Sequence, residues 1–319
     1  MKIVFHGANA QTFMPEFESL LEQTHDIAFV PDQLESAADV NLYQSADVVI
    51  GIRYDAELPQ LNAQLYQLPS AGYDKVDLTA LPQTCAAANV FGHETAIAEY
   101  IMMALLSRHV PLFEADSQLR EGNWHYWAGK PTGLRTELGS ETIGIIGHGH
   151  IGKELAAKAK AFGMRVMMAN RSPMDVQYDK NFTLENLAQM AGEVDILVNA
   201  LPLATGTDGL INAQIFSAMR STGVFVNVGR GAVADETDLF NALKTRTIES
   251  AIIDTWYQYP SSENKNPEPS ALPFAELDNV LMTPHMSGWT KGTIARRQQQ
   301  MADNINRLVR GESIFNALK

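Results

Sequence analysis

The sequence predicts an α/β protein of two domains, and three observations carry that expectation. Short apolar runs of strand length alternate with helix-periodic stretches along the chain. From residue 142 to 171 a strand, a glycine turn, a helix and a second strand follow one another without a break. Finally, 319 residues exceed what one hydrophobic core usually organises.

Taken in order, Ile3, Val4 and Phe5 followed by Gly7 read as a first strand, and residues 13–23 carry helical spacing at Phe17, Leu20 and Leu21. Residues 27–30 and 47–50 are further short buried runs, so a small parallel α/β domain without a phosphate loop of its own precedes the glycine turn. Ser70, Ala71, Gly72, Tyr73 and Asp74 form a turn-rich loop of the kind whose backbone amides hold a carboxylate, or an ordinary connection. Residues 93–107 predict a helix that is apolar nearly all round, as a helix buried between layers is. Residues 113–138 are polar and irregular and read as a crossover into the second domain.

The second domain opens on residues 142–146, an apolar strand, and runs directly into GHGHIG at 147–152, the G-x-G-x-x-G spacing. Gly147 permits a tight turn, Gly149 lets a pyrophosphate approach the backbone, and Gly152 lets the helix lie close to its strand. The helix start offers unpaired amides and partial positive charge to the phosphates. Ile151, Leu155, Ala159 and Phe162 make its apolar stripe, and Gly163 ends it. At the end of the next strand, where an acidic residue would hold a ribose 2′-hydroxyl, stand Asn170, Arg171 and Ser172. An amide, a guanidinium and a hydroxyl suit a 2′-phosphate that a carboxylate would repel, which favours NADP over NAD.

The pattern then repeats. Residues 195–198 and 224–228 read as strands, with Asn212 and Asp235 capping helices, and residues 251–254 and 280–283 complete a doubly wound sheet. Ligands in such sheets sit beyond the carboxyl ends of the strands, which here carry Gly149, Asn170, Pro202, Arg230, Asp254 and His285. Residues 291–310 form a closing helix that is expected to pack back on the first domain.

Composition narrows the partners. A net charge of −13 disfavours nonspecific binding to nucleic acid or anionic membranes. No apolar run is long enough to span a bilayer, and the first residues read as a strand rather than a signal peptide, so a cytoplasmic location is expected. The single cysteine, Cys85, gives neither a disulfide framework nor a metal cluster.

Four motifs in order now resemble the D-isomer-specific 2-hydroxyacid dehydrogenases: SAGYDKVDL at 70–78, ELGSETIGIIG at 137–147, NVGRGAVADE at 227–236 and TPHMSG at 283–288. The resemblance implies a Rossmann cofactor domain, residues 108–290, inserted into a smaller flavodoxin-like substrate domain formed by residues 1–107 and 291–319. It implies that Arg230 binds and polarises a small 2-keto acid while His285 exchanges a proton with the substrate oxygen. Ala71 and Gly72 would offer backbone amides to that substrate, with His93 beside them. Gly147, Gly149, His150, Ile151, Gly152, Asn170, Arg171, Ser172, Pro202, Thr207, Val228, Asp254, Ser287 and Gly288 would hold the dinucleotide, Asp254 at the nicotinamide amide. NADPH is expected as the preferred cofactor, with NAD possible and no metal, and the resemblance implies a homodimer, the usual assembly of the family.

One position departs from the family pattern. Where a glutamate usually partners the histidine, five residues after Asp254, stands Tyr259. Formate dehydrogenases of the same superfamily carry a glutamine there, which makes formate oxidation an alternative, but their substrate-binding asparagine corresponds to His93. Glu268, in the polar loop of residues 261–270, is the other candidate partner of His285. A dinucleotide-sensing binding protein with little turnover is the alternative from another class. Without a glutamate beside it, His285 is expected to hold its proton less firmly, so that reduction is fastest in mildly acidic solution and declines near or below the ordinary histidine pKa of about 6.5.

Overall fold

The computed structural model describes residues 1–261 and 264–319; Ser262 and Glu263, in the polar loop after Tyr259, lie outside the described residues. The chain forms two compact units, Met1–Gly92 with Trp289–Lys319, and His93–Gly288. The second is thus inserted into the first.

In the first unit β1 (Lys2–His6), α1 (Gly7–Gln11), β2 (Asp26–Val30), α2 (Ala37–Gln44), β3 (Val48–Ile50), β4 (Leu65–Gln67) and β5 (Ala86–Ala88) build a parallel sheet of order β2-β1-β3-β4-β5. This is the flavodoxin-like order. Alternation along β1 sends Val4 to one face, with Val49 and Tyr66, and Ile3 and Phe5 to the other, with Val48, Ile50 and Leu65. The last helix, Lys291–Val309, covers the second face through Met301, Ala302 and Ile305. No helix spans residues 13–23. Pro15 biases its predecessor away from helix and Glu16 is left-handed at φ 62°, so Phe17 enters the core on a single 3₁₀ turn, Phe17–Leu20.

In the second unit α3 (Glu94–His109) and α4 (Leu112–Arg120) precede β6 (Thr142–Ile146), α5 (His150–Ala161), β7 (Arg165–Asn170) and β8 (Lys180–Thr183). Then come α6 (Leu187–Glu193), β9 (Ile196–Asn199), α7 (Ala213–Ala218), β10 (Val224–Asn227), α8 (Glu236–Lys244), β11 (Ser250–Ile253) and β12 (Val280–Met282). The sheet is parallel, with order β12-β11-β10-β9-β6-β7-β8, and its direction of winding reverses between β6 and β9. Asn212 and Asp235 cap α7 and α8 as their positions predicted, each accepting from a first-turn amide.

In the second unit three features differ from the sequence expectation. Residues 113–138 are not wholly irregular, because α4 occupies their start; it buries no residue and so shows no core-facing stripe. Phe162 leaves the apolar stripe of α5, standing 47% exposed just past the helix end. Helix α3 is not apolar all round: Ile97, Ala98, Ile101 and Leu105 are buried in one core with Leu155 and Ala159 of α5, while Met103 faces out. That packing groups α3 with the second unit, where the chain-order expectation had ended the first domain at residue 107.

Candidate active site

The glycine turn fits a pyrophosphate. Gly147 lies at φ +111°, where a side chain would be strained, and its amide bonds the carbonyl of Ala169 at 2.8 Å. A Cβ on Gly152 would fall 2.0 Å from the Gly147 carbonyl oxygen, so only glycine lets α5 start this close to β6. Above Gly149 the opposite holds: a Cβ there meets nothing within 4 Å, leaving the backbone open to an incoming group. His150 and Ile151 begin α5, whose first amides lack intrahelical partners. Across the switch point, the Thr207 hydroxyl accepts from Ala204 N–H at 2.8 Å and lies 2.9 Å from the Pro202 carbonyl, closing the loop after β9. Val228 is buried at the end of β10, its amide on Asn199.

At the end of β7, Asn170 shapes the turn. Its side-chain oxygen accepts the His148 amide at 3.3 Å and its nitrogen donates to the Ser172 carbonyl at 3.0 Å. Arg171 and Ser172 are exposed beside it. His148, unnoticed in the sequence because it occupies a variable place between the glycines, is hydrogen-bonded through Nε2 to the Tyr178 hydroxyl at 2.9 Å. Burial first, and Lys153 second, hold its pKa below the usual 6.5 against the pull of Asp175.

Glycines also govern the exit of Arg230. A Cβ on Gly229 would sit 2.4 Å from the Leu201 carbonyl, and one on Gly231 would sit 2.3 Å from the Trp256 carbonyl. The backbone on both sides of Arg230 is therefore pressed against neighbouring strand ends. Below it a buried polar net ties three strands: Asn199 donates to Asn227 at 2.9 Å, and Thr255 donates to the same Asn227 oxygen at 3.2 Å. Buried amides can stay buried only when so partnered. Nothing in the spacing of these polar residues distinguishes them from surface ones, so sequence alone does not reveal the net.

Asp254 is fully buried and accepts four hydrogen bonds. Thr283 Oγ1 at 2.6 Å and the Met286 amide at 2.9 Å reach one oxygen; the Ser287 amide at 3.0 Å and Oγ at 2.5 Å reach the other. These donors bracket His285, which is held at φ +57°. Tyr100 extends the net, its hydroxyl 2.7 Å from Thr283 Oγ1. A carboxylate has about four lone-pair positions, so Asp254 is committed to the histidine turn. The Tyr259 hydroxyl accepts the Trp256 amide at 2.9 Å, which folds its ring against that of His285, centroids 5.5 Å apart. Glu268 is exposed. His93 stands at the start of α3, and its Cβ lies 3.4 Å from where a Cβ on Gly288 would be, so the fold brings it beside the Ser287 and Gly288 turn.

Ala71 and Gly72 belong to the first unit. Four consecutive carbonyls of their loop are engaged: Pro69 by Arg297 Nη1 at 3.2 Å, Ser70 by the Val90 amide at 3.2 Å, Ala71 by Asn89 Nδ2 at 2.7 Å and Gly72 by Ser70 Oγ at 2.8 Å. In a trans peptide the N–H points opposite to the C=O, so the amides from Ser70 to Tyr73 face away from these anchors. Two depressions elsewhere on this unit, about 510 Å³ beside Met14 and Glu16 and about 340 Å³ beside Trp289 and Ile294, are lined by none of these loop residues.

A doubly wound sheet with a glycine turn at its switch point, and an arginine and a histidine after the two strands that flank β11, defines the class: an NAD(P)-dependent oxidoreductase. The profile of the D-isomer specific 2-hydroxyacid dehydrogenase NAD-binding domain matches residues 101–287. A glyoxylate reductase of Aeropyrum pernix is 28% identical over 307 residues, 93% of this chain and 84% of that one. A D-isomer specific 2-hydroxyacid dehydrogenase family protein of Aeromonas salmonicida has the same fold, with TM-score 0.81 and 22% identity over 100% of this chain and 98% of that one. So does an NADPH-dependent glyoxylate/hydroxypyruvate reductase of Sinorhizobium meliloti solved with NADP and sulfate, TM-score 0.78 and 20% identity over the same shares. The chain belongs to the D-isomer specific 2-hydroxyacid dehydrogenase family.

Proposed function

We propose that this chain is an NADPH-preferring reductase of small 2-keto acids of the glyoxylate and hydroxypyruvate class, forming the D-2-hydroxy acid. The observation that carries the reading is the Asp254 turn, which fixes His285 at the sheet end that also bears Arg230. Bound NADPH supplies the hydride to the carbonyl carbon. His285 gives a proton to the carbonyl oxygen, and Arg230 binds the carboxylate and stabilises the developing charge. Ala71 and Gly72 offer backbone amides to the substrate, and His93 contacts it. Tyr259 orients the imidazole by ring contact.

On the cofactor side, Gly147, Gly149, His150, Ile151 and Gly152 hold the pyrophosphate, while Pro202, Thr207 and Val228 line the adenosine side. Arg171 and Ser172 take the 2′-phosphate, with Asn170 shaping their turn. Ser287 and Gly288 lie at the nicotinamide, and Asp254, its oxygens taken up by Thr283, Met286 and Ser287, acts through the turn. The names of the relatives, glyoxylate reductases among them, support the substrate class. The enzyme works as a cytoplasmic homodimer in this reading.

The test is NADPH oxidation across a keto-acid panel, with formate plus NAD⁺ or NADP⁺ as the counter-assay. Turnover of glyoxylate or hydroxypyruvate is expected. Formate oxidation without keto-acid turnover would assign the formate chemistry instead, and dinucleotide binding without either would leave a sensor.

A further inference from the structure

The last helix does more than cover a sheet face. Along it, Arg296, Arg297, Gln300 and Asn304 each bond the rest of the first unit at or beyond the ends of β4 and β5. Asn304 Nδ2 donates to the Gln67 side chain at 2.9 Å, Gln300 Oε1 accepts the Phe91 amide at 3.1 Å, and Arg296 Nε donates to the Gly92 carbonyl at 2.7 Å. Arg297, only 9% exposed, places its guanidinium under the Pro69 carbonyl. Positions 297, 300 and 304 recur at helical spacing, so one stripe of the helix is a polar clamp beside the apolar contacts of Met301 and Ile305. A guanidinium is costly to bury and is retained where its donors are used.

We propose that Arg297 is a positioning residue for substrate binding: from the last helix it anchors the carbonyl that begins the 70–73 loop and so keeps the loop's amides outward. With Val90, Asn89 and Ser70 it completes four consecutive carbonyl anchors, of which it is the one charged donor. Turning the Pro69 peptide over would carry the Ser70 amide inward and disturb the amides after it. Arg297 itself touches neither substrate nor cofactor in this assignment. The proposal rests on the reading of the 70–73 loop as the carboxylate site.

The test compares full-length wild type with Arg297→Lys, Arg297→Gln and Ser70→Ala in steady-state kinetics, with melting temperature measured in parallel. Loss of one charge-assisted hydrogen bond is expected to raise the KM for the keto acid about ten-fold in Arg297→Gln. Arg297→Lys, which keeps a charged donor, should restore part of it. KM for NADPH and kcat should stay near wild type, since the altered loop holds only the substrate. A purely structural arginine would lower the melting temperature and the active fraction while leaving the KM for the keto acid unmoved, and that result overturns the proposal. Should Arg297→Gln not fold, Arg297→Lys decides in the same way, by a raised or an unchanged KM for the keto acid. A wild type that reduces no keto acid would sink the proposed function along with the loop's role; wild-type turnover with unmoved KM in the variants sinks the positioning role alone.

Discussion

At the end of β7, Arg171 and Ser172 stand exposed while Asn170 is occupied with the turn that carries them. The amide therefore shapes the turn, and the proposed NADPH preference rests on the exposed guanidinium. Arg171→Ala should weaken NADPH binding by about ten-fold or more, the worth of a hydrogen bond between charged groups, and leave NADH nearly unchanged. Equal losses for the two dinucleotides in a fluorescence titration would remove the 2′-phosphate assignment. The histidine offers a second test. In the proposed mechanism His285 donates the proton, so the rate should decline as rising pH removes it. A carboxylate in the place of the Tyr259 ring favours the imidazolium, hence Tyr259→Glu should move the decline to higher pH. Glu268→Gln should leave the profile where it is, because Glu268 is exposed and the ring contact belongs to Tyr259. A profile that moves only in Glu268→Gln would give the partnership to the loop carboxylate. Both positions were legible in the sequence as alternatives; the choice between them depends on how residues 256–259 fold back, which no spacing encodes.

Elements rather than single groups explain why the strand ends converge. Gly152 and the glycines flanking Arg230 are needed because backbone oxygens lie 2.0–2.4 Å from where their Cβ atoms would be, and these close approaches were marked in the sequence by glycine itself. Short polar elements were not. The strand Lys180–Thr183 and the helix Leu187–Glu193 pass unnoticed because the first has a single buried residue, Phe182, and the second is too short to show a period. The Asp254 net was half legible: the aspartate by its place at a strand end, its four donors only in the folded chain. Asp254→Asn keeps the shape but replaces an acceptor with a donor facing the Ser287 or Thr283 side. Each hydrogen bond lost from a buried carboxylate costs about 1.5–3 kcal/mol, so a lowered melting temperature is expected. Loosening the turn that holds His285 should also lower kcat more than it raises the KM for NADPH. If KM for NADPH rises while kcat and stability stay unchanged, Asp254 serves the nicotinamide after all.

Across the whole molecule, the alternation of strand-length and helix-periodic runs is why the two-domain α/β class was available from sequence. Assembly is a different matter. Leu112, Phe113 and Leu119 on α4, and Trp124, Trp127 and Leu134 after it, are exposed within one stretch of the second unit. A helix that buries nothing on its own chain, yet carries Phe113 at 75% exposure, suits a surface covered by a second copy. Sedimentation should give twice the 35.1 kDa chain mass, and Phe113→Lys should shift the equilibrium toward monomer. A monomeric wild type, or a dimer indifferent to that substitution, would place the interface elsewhere or nowhere.

All of these expectations depend on one reaction, and hydroxypyruvate tests it because its product has a handedness. NADPH consumption by the purified enzyme should be matched one for one by D-glycerate, measured by chiral chromatography, and should fall to background in His285→Ala. L-glycerate, a racemic product, or undiminished turnover without His285 would contradict the assignment of this site as a D-specific 2-keto acid reductase.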